Sequence, residues 1–285
     1  NEITVLTMDT TSSSFTFEMI TFGGEIGSSV LYDVAIINEN NIWAVGDIWI
    51  KSDTTSTGYI KYNAIHWDGI EWKLHRIMFY TVCGQTNLIP YPARSVFAFN
   101  ENDVWISMDG DQIARIDGEN QISIQCLPVS FSIFRLWGSS NNNLYAVGWG
   151  GNIVHYNGAS WSKLASGTTL NINDIWGDYN PKTNEWEILA VASNKFFNEG
   201  LDVLKIIGQN STILNKDGLP WSISSVWFKA GKKYFIAGDG FFFNKKINKD
   251  WNKDTLFIPI YKDRIRGINV NDIVVSGSNG LLSHF

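Results

Sequence analysis

The chain has 285 residues, of which 44% are hydrophobic and 18% are charged, so it can form a sizeable buried core and is neither disordered nor collagen-like. Its 22 Lys and Arg residues and 28 Asp and Glu residues give a net charge of −6, the wrong sign for binding nucleic acid or an anionic membrane by bulk electrostatics. The sequence contains no run of about 18 apolar residues, which a membrane-spanning helix would need. We therefore expect a globular protein with no nucleic-acid partner and no membrane insertion.

The first 13 residues differ from the rest of the chain. They begin at Asn1 without the basic and apolar regions of a signal peptide. An alternating stretch, ITVLTM, is followed by DTTSSS, which is typical of a linker. We interpret residues 1–13 as a linker or the remnant of an upstream domain, or as a tail that lies on the domain that follows. An upstream domain of the same polypeptide is therefore an expected partner.

A strand is predicted at residues 15–22, where FTFEMITF alternates apolar and polar positions. After it, a pattern of short strands recurs six times. The first strand of each copy lies at residues 32–37, 94–99, 133–139, 172–178, 223–229 and 264–269. The second strand, after a turn containing Asn or Gly, lies at residues 40–47, 102–111, 142–151, 185–193, 232–240 and 271–280. An aromatic residue recurs at one register of the second strand, as Trp43, Trp105, Tyr145 and Phe235.

This repeat predicts an all-β, six-bladed β-propeller with four antiparallel strands per blade. Several copies continue into hairpins at Asp-Gly or Asn-Gly, residues that supply the positive φ of a tight turn. The copies recur about every 40 residues, a period typical of propeller blades. No segment keeps the 3.6-residue apolar period of a helix.

The predicted single propeller domain covers residues 14–285. Its blades are expected at residues 30–80, 92–129, 132–168, 170–218, 222–258 and 263–285, the last together with 14–23. Because the sixth copy ends after three strands, we expect residues 15–22 to complete that blade and close the ring, which leaves no long exposed sheet edge.

Several segments resemble a family of bacterial β-propellers from secreted, multidomain surface proteins. The segments are DIWG at 174–177, NNIWAVG at 40–46, NNLYAVGWGGNIVHYNGASW at 142–161 and INDIWGDYNPKTNEWEILAVASN at 172–194. In that family the propeller often follows fibronectin type III-like or Ig-like modules, so the resemblance implies a secreted or cell-surface location. Similar sequences are often named glucosyltransferases, but the family has no catalytic motif that can be carried over to residues of this chain.

Histidines are the first candidates for catalysis or metal binding. His66, His155 and His284 occupy the same third-strand position in different blades, where another blade has Arg115. Equivalent positions in separate blades cannot converge on one ion, which favours a structural role. His75 lies on a fourth strand with no partner visible in the sequence.

Carboxylates are the second candidates, because glycoside hydrolysis needs two of them facing each other across a sugar. Asp109 and Asp111 are close together, but they lie in a Gly-rich turn where turn formation is the simpler role and weak calcium binding the alternative. No nucleophilic triad or phosphate-binding Gly loop occurs. We predict no catalytic residue, no metal and no cofactor.

Insertions into the repeat indicate a binding face instead. They lie at residues 52–63, 80–92 and 194–200, in connections that emerge on one face of a propeller, the inserted-loop face, where binding residues often occur. These loops and the turns beside them carry aromatic residues that could stack on a sugar or anchor a peptide. They are Trp49, Tyr59, Tyr62, Tyr80, Tyr91, Trp149, Phe196 and Phe197. Alternatively, several of them cover blade edges.

A polar collar is predicted where the six first strands begin. Its residues are Asp33, Ser95, Arg135, Asp174, Ser225 and Arg264. At the mouth of the channel they would form a mixed-charge ring suited to a polar ligand. Alternatively, they neutralise one another in ion pairs, as charges near an interior require. Cys83 and Cys126 could be free or paired, since two cysteines do not make a disulfide scaffold.

These observations favour a secreted or surface-attached, non-catalytic recognition or adhesion module that binds a glycan or a protein on the inserted-loop face. One alternative is a carbohydrate-active enzyme with carboxylates from different blades. Another is a structural subunit of an extracellular assembly.

Overall fold

The computed structural model describes residues 20–22, 28–255 and 259–284. Within these ranges the chain consists of short β-strands joined by turns, with 3-10 turns at Trp149–Gly151 and Ser278–Gly280. The described residues contain no helix long and apolar enough to cross a bilayer.

Five four-stranded sheets and one three-stranded sheet, all antiparallel, form the six blades. Blade 1 contains β1 (Ser29–Asn38), β2 (Asn41–Lys51), β3 (Tyr59–Trp67) and β4 (Trp72–His75). A hairpin follows, formed by β5 (Phe79–Tyr80) and β6 (Leu88–Ile89). Blade 2 contains β7 (Ala93–Asn100), β8 (Asp103–Met108), β9 (Gln112–Asp117) and β10 (Asn120–Cys126). Blade 3 contains β11 (Ile133–Ser140), β12 (Asn143–Gly148), β13 (Ile153–Tyr156) and β14 (Trp161–Leu164).

The second half of the ring has the same order of strands. Blade 4 contains β15 (Ile172–Asn180), β16 (Glu185–Ser193), β17 (Leu201–Ile207) and β18 (Asn210–Ile213). Blade 5 contains β19 (Ile223–Lys229), β20 (Lys233–Gly238), β21 (Gly240–Asn244) and β22 (Asn252–Lys253). Blade 6 contains β23 (Lys262–Asn269), β24 (Asp272–Gly277) and β25 (Leu281–His284).

The predicted all-β, six-bladed propeller is confirmed. The first strands of successive blades contact one another from β1 through β7, β11, β15 and β19 to β23, which places them innermost. The aromatic residues predicted at one register of the second strands are buried between blades: Trp43, Trp105, Tyr145 and Phe235. A separate hydrophobic cluster lies between each pair of neighbours from blades 1 and 2 to blades 5 and 6. Blades 2 to 5 are therefore covered on both faces by their neighbours, as a propeller requires.

The predicted closing strand falls mostly outside the described residues, as do residues 1–13. Of residues 15–22 the structure describes only 20–22, which are not assigned to a strand. Phe22 packs edge-on against Trp72 of blade 1, with ring centroids 6.2 Å apart. Blade 6 has three described strands, in agreement with the sequence of its repeat. Ring closure by residues 15–22 stays a prediction.

A disulfide fixes the insertion between blades 1 and 2. Cys83, in the β5–β6 hairpin, is bonded to Cys126 at the end of β10, with Cα atoms 6.0 Å apart. The side-chain amide of Gln112 also accepts from the Tyr80 N–H and donates to its carbonyl oxygen, both at 2.9 Å. The sequence left the state of the two cysteines open, and the fold brings them together.

Removal of this disulfide is expected to destabilise the propeller. The bond joins residues separated by 43 positions, and closing a loop of that length in the unfolded chain contributes about 2–4 kcal/mol. In urea unfolding we expect C83S/C126S to lose stability by that amount, and reductant to lower the wild-type midpoint but not that of the variant. An unchanged wild-type midpoint in reductant would contradict this role.

Candidate functional site

A cavity of about 1150 Å³ opens at the mouth of the channel, between blades 1 and 6. Its polar wall comes from the beginnings of the innermost strands and from the loop 194–200. The apolar side is formed by residues of the N-terminal segment and of blade 1. These are Ile20, Phe22, Leu31, Val34, Ala44, Ile65 and Trp72. Of the three inserted loops, 194–200 contributes residues to the lining of the cavity.

Strand alternation accounts for the apolar wall. Leu31 and Val34 of β1 are about half-exposed. In β24, Ile273 and Val275 are buried against blade 5, so the residues between and beside them point the other way. Exposed Val274 therefore lies on the same side of blade 6 as Ser276, which lines the cavity. At the cavity, blade 1 thus presents apolar side chains, whereas blade 6 presents Asp263, Arg264 and Ser276.

The predicted collar is a set of hydrogen bonds between neighbouring blades. Asp33 Oδ2 accepts from Ser95 Oγ at 2.6 Å and from the Val96 N–H at 3.2 Å. Ser95 Oγ in turn accepts from the Leu136 N–H at 3.0 Å. One carboxylate and one hydroxyl therefore connect the inner strands of blades 1, 2 and 3.

The second half of the ring repeats this arrangement. Asp174 Oδ2 accepts from Ser225 Oγ and, at 3.1 Å, from the Val226 N–H. Ser225 Oγ accepts from the Ile265 N–H at 3.1 Å. The collar therefore reads Asp-Ser-Arg in blades 1 to 3 and again in blades 4 to 6, and we call each half a relay.

The arginine at the end of each relay lies near its aspartate. Arg135, 8% exposed, has Nη1 3.8 Å from Asp33 Oδ2, and its Nε has no hydrogen-bond partner in the described ranges. Burial lowers the pKa of Arg135, and the Asp33 charge opposes this effect. Arg264 Nη1 lies 3.1 Å from Asp174 Oδ1. The collar residues therefore pair with one another, which was the alternative to an open mixed-charge ring.

Sequence reasoning missed Arg266, which contributes the closest ion pair at the collar. Its two terminal nitrogens donate to the two Asp174 oxygens at 2.9 and 2.8 Å. Asp174 is fully buried, and a buried carboxylate is stable only with such partners. The available signal was alternation, since Arg266 is two residues after Arg264 and lies on the same side of β23.

Sequence reasoning also missed Arg94, at the second position of β7. Its guanidinium lies 4.4 Å from the ring centre of Tyr32 and 5.6 Å from that of Phe134. Within the part of the chain that the structure describes, Arg94 has no carboxylate partner at ion-pair distance, and it lines the cavity. It is therefore available to an anionic group of a ligand.

Lys195 lies on the opposite side of the cavity, in the loop 194–200. Its Nζ is 3.3 Å from Asp263 Oδ1, and burial lowers its pKa while Asp263 opposes this effect. Guanidinium groups recognise carboxylates through paired, charge-assisted hydrogen bonds. The arrangement can therefore bind an anion at Arg94, and apolar groups of the same ligand along blade 1.

The eight predicted aromatic residues fall into two groups. Half-buried within blade 1 or the insertion that follows it are Trp49, Tyr59, Tyr62, Tyr80 and Tyr91. Of these, Tyr62 and Tyr91 pack against hydrophobic clusters, and Trp49 lies under Lys61 Nζ at 5.0 Å. The alternative role, covering blade edges, describes these positions better than a ligand platform does.

The other three aromatic residues are exposed: Trp149, Phe196 and Phe197 are 60%, 68% and 63% accessible. Phe197 alone of the eight lines the cavity. The turn at Trp149 is connected to the loop 194–200 through Asn171, whose Oδ1 accepts from the Gly150 N–H at 2.9 Å. The Asn171 N–H donates to Asn194 Oδ1 at 3.1 Å.

The histidines lie as the repeat predicts, with one difference. His66, His155 and His284 occupy β3, β13 and β25, and the Nε2 of each lies 2.7–3.0 Å from a side-chain oxygen at or near the start of the second strand of its blade. His75 has a neighbour that the sequence did not reveal, since its ring centroid is 5.9 Å from that of His66. These two rings and Glu119 have potential metal-ligand atoms within 4.8 Å of one another. Asp109 and Asp111 lie in the turn between β8 and β9, as expected.

No protein-family model and no curated protein matches the chain. Solved β-propellers are similar to it in fold. A structure of YCF48 bound to D1 peptide has a TM-score of 0.60 and 15% identity, over 90% of this chain and 78% of that one. YCF48 from Cyanidioschyzon merolae gives 0.61 and 16%, over 90% and 95%. The WD40 repeats of RRP9 give 0.59 and 9%, over 94% and 81%. These identities show the fold alone.

The two relay aspartates are expected to differ in their contribution to stability. In D174N, Arg264 and Arg266 lose their shared carboxylate, which we expect to cost about 2–4 kcal/mol because the site is largely buried. D33N is the matched control and should cost less, since Arg135 Nη1 is 3.8 Å from that carboxylate. Urea unfolding of both variants measures the difference. Equal losses would contradict the assignment of Asp174 as the main ion-pair centre.

Proposed function

We propose that the chain is the recognition module of a secreted or cell-surface protein, and that it binds a protein ligand through an extended acidic segment. The single observation that carries this proposal is the cavity between blades 1 and 6, where Arg94 faces the apolar wall of blade 1. A peptide with a carboxylate followed by apolar side chains matches both parts of this surface.

The geometry of Arg94 favours an anionic ligand group. Stacking on Tyr32 and Phe134 holds the guanidinium plane while leaving its N–H groups for hydrogen bonds. Arg135 also lines this cavity, where its guanidinium lies 3.8 Å from Asp33 Oδ2. The collar aspartates already have hydrogen-bond partners, so the positive charge of Arg94 can neutralise the carboxylate of a ligand.

The apolar wall favours a peptide over a small anion. The half-exposed side chains of Leu31 and Val34 lie beside the cavity, where they can bury apolar side chains of a ligand. A propeller of similar fold, YCF48, has a solved structure with a D1 peptide. That neighbour supports the general use of this fold for peptide recognition.

The carboxylates of the cavity support binding rather than hydrolysis. Asp33 is hydrogen-bonded to Ser95, Asp263 is paired with Lys195, and Glu199 accepts from the Asn194 side chain. A glycosidase of the usual kind instead needs two carboxyl groups that face each other across the substrate.

A secreted or cell-surface location is supported by the disulfide between Cys83 and Cys126. Such bonds persist in oxidising compartments and are rare in the cytosol. The resemblance to propellers of secreted surface proteins points the same way. In this proposed setting the propeller would follow an upstream module of the same polypeptide and bind another protein.

A glycan is the second candidate ligand, and the exposed aromatic residues at Trp149 and loop 194–200 favour it. Phe196 adopts a φ of 67°, a left-handed conformation that is costly for a bulky side chain and that often occurs at functional sites. Rings presented in this way can stack on the apolar face of a sugar.

The proposed peptide site is tested by selecting binders from a random heptapeptide display library with the full chain. We expect the selected peptides to carry Asp, Glu or a free C-terminal carboxylate next to apolar residues. For a synthetic peptide of that sequence, R94Q should weaken binding about 10-fold or more, because a charge-assisted contact of about 1.5–3 kcal/mol is lost. Isothermal titration calorimetry measures the affinity.

The matched control is K163Q, which removes a positive charge from an exposed position on β14, outside the cavity. It should bind as the wild type does. Equal affinity of R94Q and wild type would contradict the proposed site. Binding on a glycan array that is lost in F196A/F197A but kept in R94Q would favour the second candidate.

A further inference from the structure

Two histidines of blade 1 and a glutamate of blade 2 converge on the face of the ring opposite the cavity. His66 lies on β3 and His75 at the end of β4. His75 pairs with Ala64, which belongs to the hydrophobic cluster between blades 1 and 2. Because His66 is two residues after Ala64 on β3, both histidines lie on the side of the hairpin that faces blade 2. Glu119 lies in the turn between β9 and β10 of blade 2. Its Oε1 is 3.7 Å from His66 Nδ1.

The hydrogen bonds of His66 leave no hydrogen between its Nδ1 and the Glu119 carboxylate. His66 Nε2 lies 3.0 Å from Asn41 Oδ1, so the amide orientation assigns the ring hydrogen to Nε2 and a lone pair to Nδ1. That lone pair faces a carboxylate oxygen, which donates no hydrogen when ionised. His66 is 5% exposed, and its Nδ1 and the Nε2 of His75 are buried without hydrogen-bond partners among the residues that the structure describes.

Blade 3 contains the same arrangement with these needs met. His155 stacks on Tyr145 at 4.5 Å, as His66 stacks on Trp43 at 4.4 Å. Its Nε2 lies 2.7 Å from Asn143 Oδ1, and its Nδ1 is 3.1 Å from Gln209 Nε2, which donates to it. Gln209 follows a turn glycine of the next blade, as Glu119 does.

The two blades therefore differ at two equivalent positions. Ile153 of blade 3 and Ala64 of blade 1 are equivalent, since each lies two residues before the third-strand histidine. The fourth-strand residue opposite Ile153 is Leu164, and the one opposite Ala64 is His75. The neutral amide donor of Gln209 is replaced by the carboxylate of Glu119. Blade 1 thus has two additional electron-pair donors and lacks the hydrogen that satisfies blade 3.

We propose that His66, His75 and Glu119 bind a divalent cation of the zinc type between blades 1 and 2. Two imidazoles and one carboxylate form a common zinc ligand set, with water in the fourth position. Asn41 would orient His66 through the opposite ring nitrogen, as hydrogen-bond partners of metal-ligating histidines do. Burial lowers the pKa of both rings, which favours the neutral form that a metal requires.

The ligand atoms are close enough to reach one ion after a small adjustment. They lie within 4.8 Å of one another, whereas tetrahedral zinc bonds of about 2.0–2.1 Å place ligand atoms about 3.4 Å apart. The adjustment falls on Glu119, which is 48% exposed in a turn. Lys73 Nζ lies 2.7 Å from Asp68 Oδ2 and 3.5 Å from Glu119 Oε1. Because Asp68 is the closer partner of Lys73, Glu119 can turn towards an ion while Lys73 keeps that ion pair. A bound ion would join blade 1 to blade 2 by coordination bonds.

The test is calorimetric titration of the metal-free full chain with zinc chloride. We expect one ion per chain in the wild type, and affinity at least 10-fold weaker in both E119Q and H75L, which reproduce the residues of blade 3. H155Q is the matched control, because it removes the equivalent histidine of blade 3, and it should bind zinc as the wild type does. In the presence of cobalt(II), the wild type should show visible d–d absorption that E119Q lacks.

Two results would overturn the proposal. One is absence of zinc binding by the wild type, and the other is equal affinity of wild type and E119Q. E119Q is isosteric and lies in a half-exposed turn, so it should fold even if H75L does not. Circular dichroism in the presence of chelator checks the fold of each variant.

Discussion

The inner ring depends on hydrogen bonds between innermost strands, which run from blade 1 through blade 2 to blade 3 and again from blade 4 through blade 5 to blade 6. An aspartate accepts from the serine hydroxyl and a backbone N–H of the next blade, and the serine accepts from a backbone N–H of the blade after that. Within the described residues the innermost strands of different blades form no sheet with each other, so these side chains provide partners for backbone N–H groups near the channel. Asp33 and Asp174 begin the two relays, and the arginines Arg135 and Arg264 end them.

The position of the cavity follows from this arrangement. Each relay joins three blades, which leaves the junction of blades 3 and 4 and that of blades 6 and 1 outside it. A hydrophobic cluster that includes Trp137 and Ile175 fills the first junction. The second junction contains the cavity, which is lined by apolar side chains of blade 1 and by the cationic side chain of Arg94. The proposed recognition site would use apolar surface of the kind that the other junctions bury in the core.

The fold could be predicted from the sequence because alternation, turn residues and the repeat all act locally. The collar could be predicted as a set, since Asp33 and its equivalents share one register. Its bonding could not, because Asp174 finds its partners in other blades, 51 and 92 positions away. The same limit applies to Cys83 and Cys126. Aromatic residues in loops were assigned to a ligand, but several cover blade edges, and the distinction depends on packing that the sequence does not contain.

Hydrogen–deuterium exchange of the full chain with and without a selected acidic peptide locates the bound ligand without relying on a substitution. We expect protection at the beginnings of β1 and β7 and in loop 194–200, where the cavity wall lies. Protection confined to the opposite face of the ring, at the turns between third and fourth strands, would contradict the proposed peptide site.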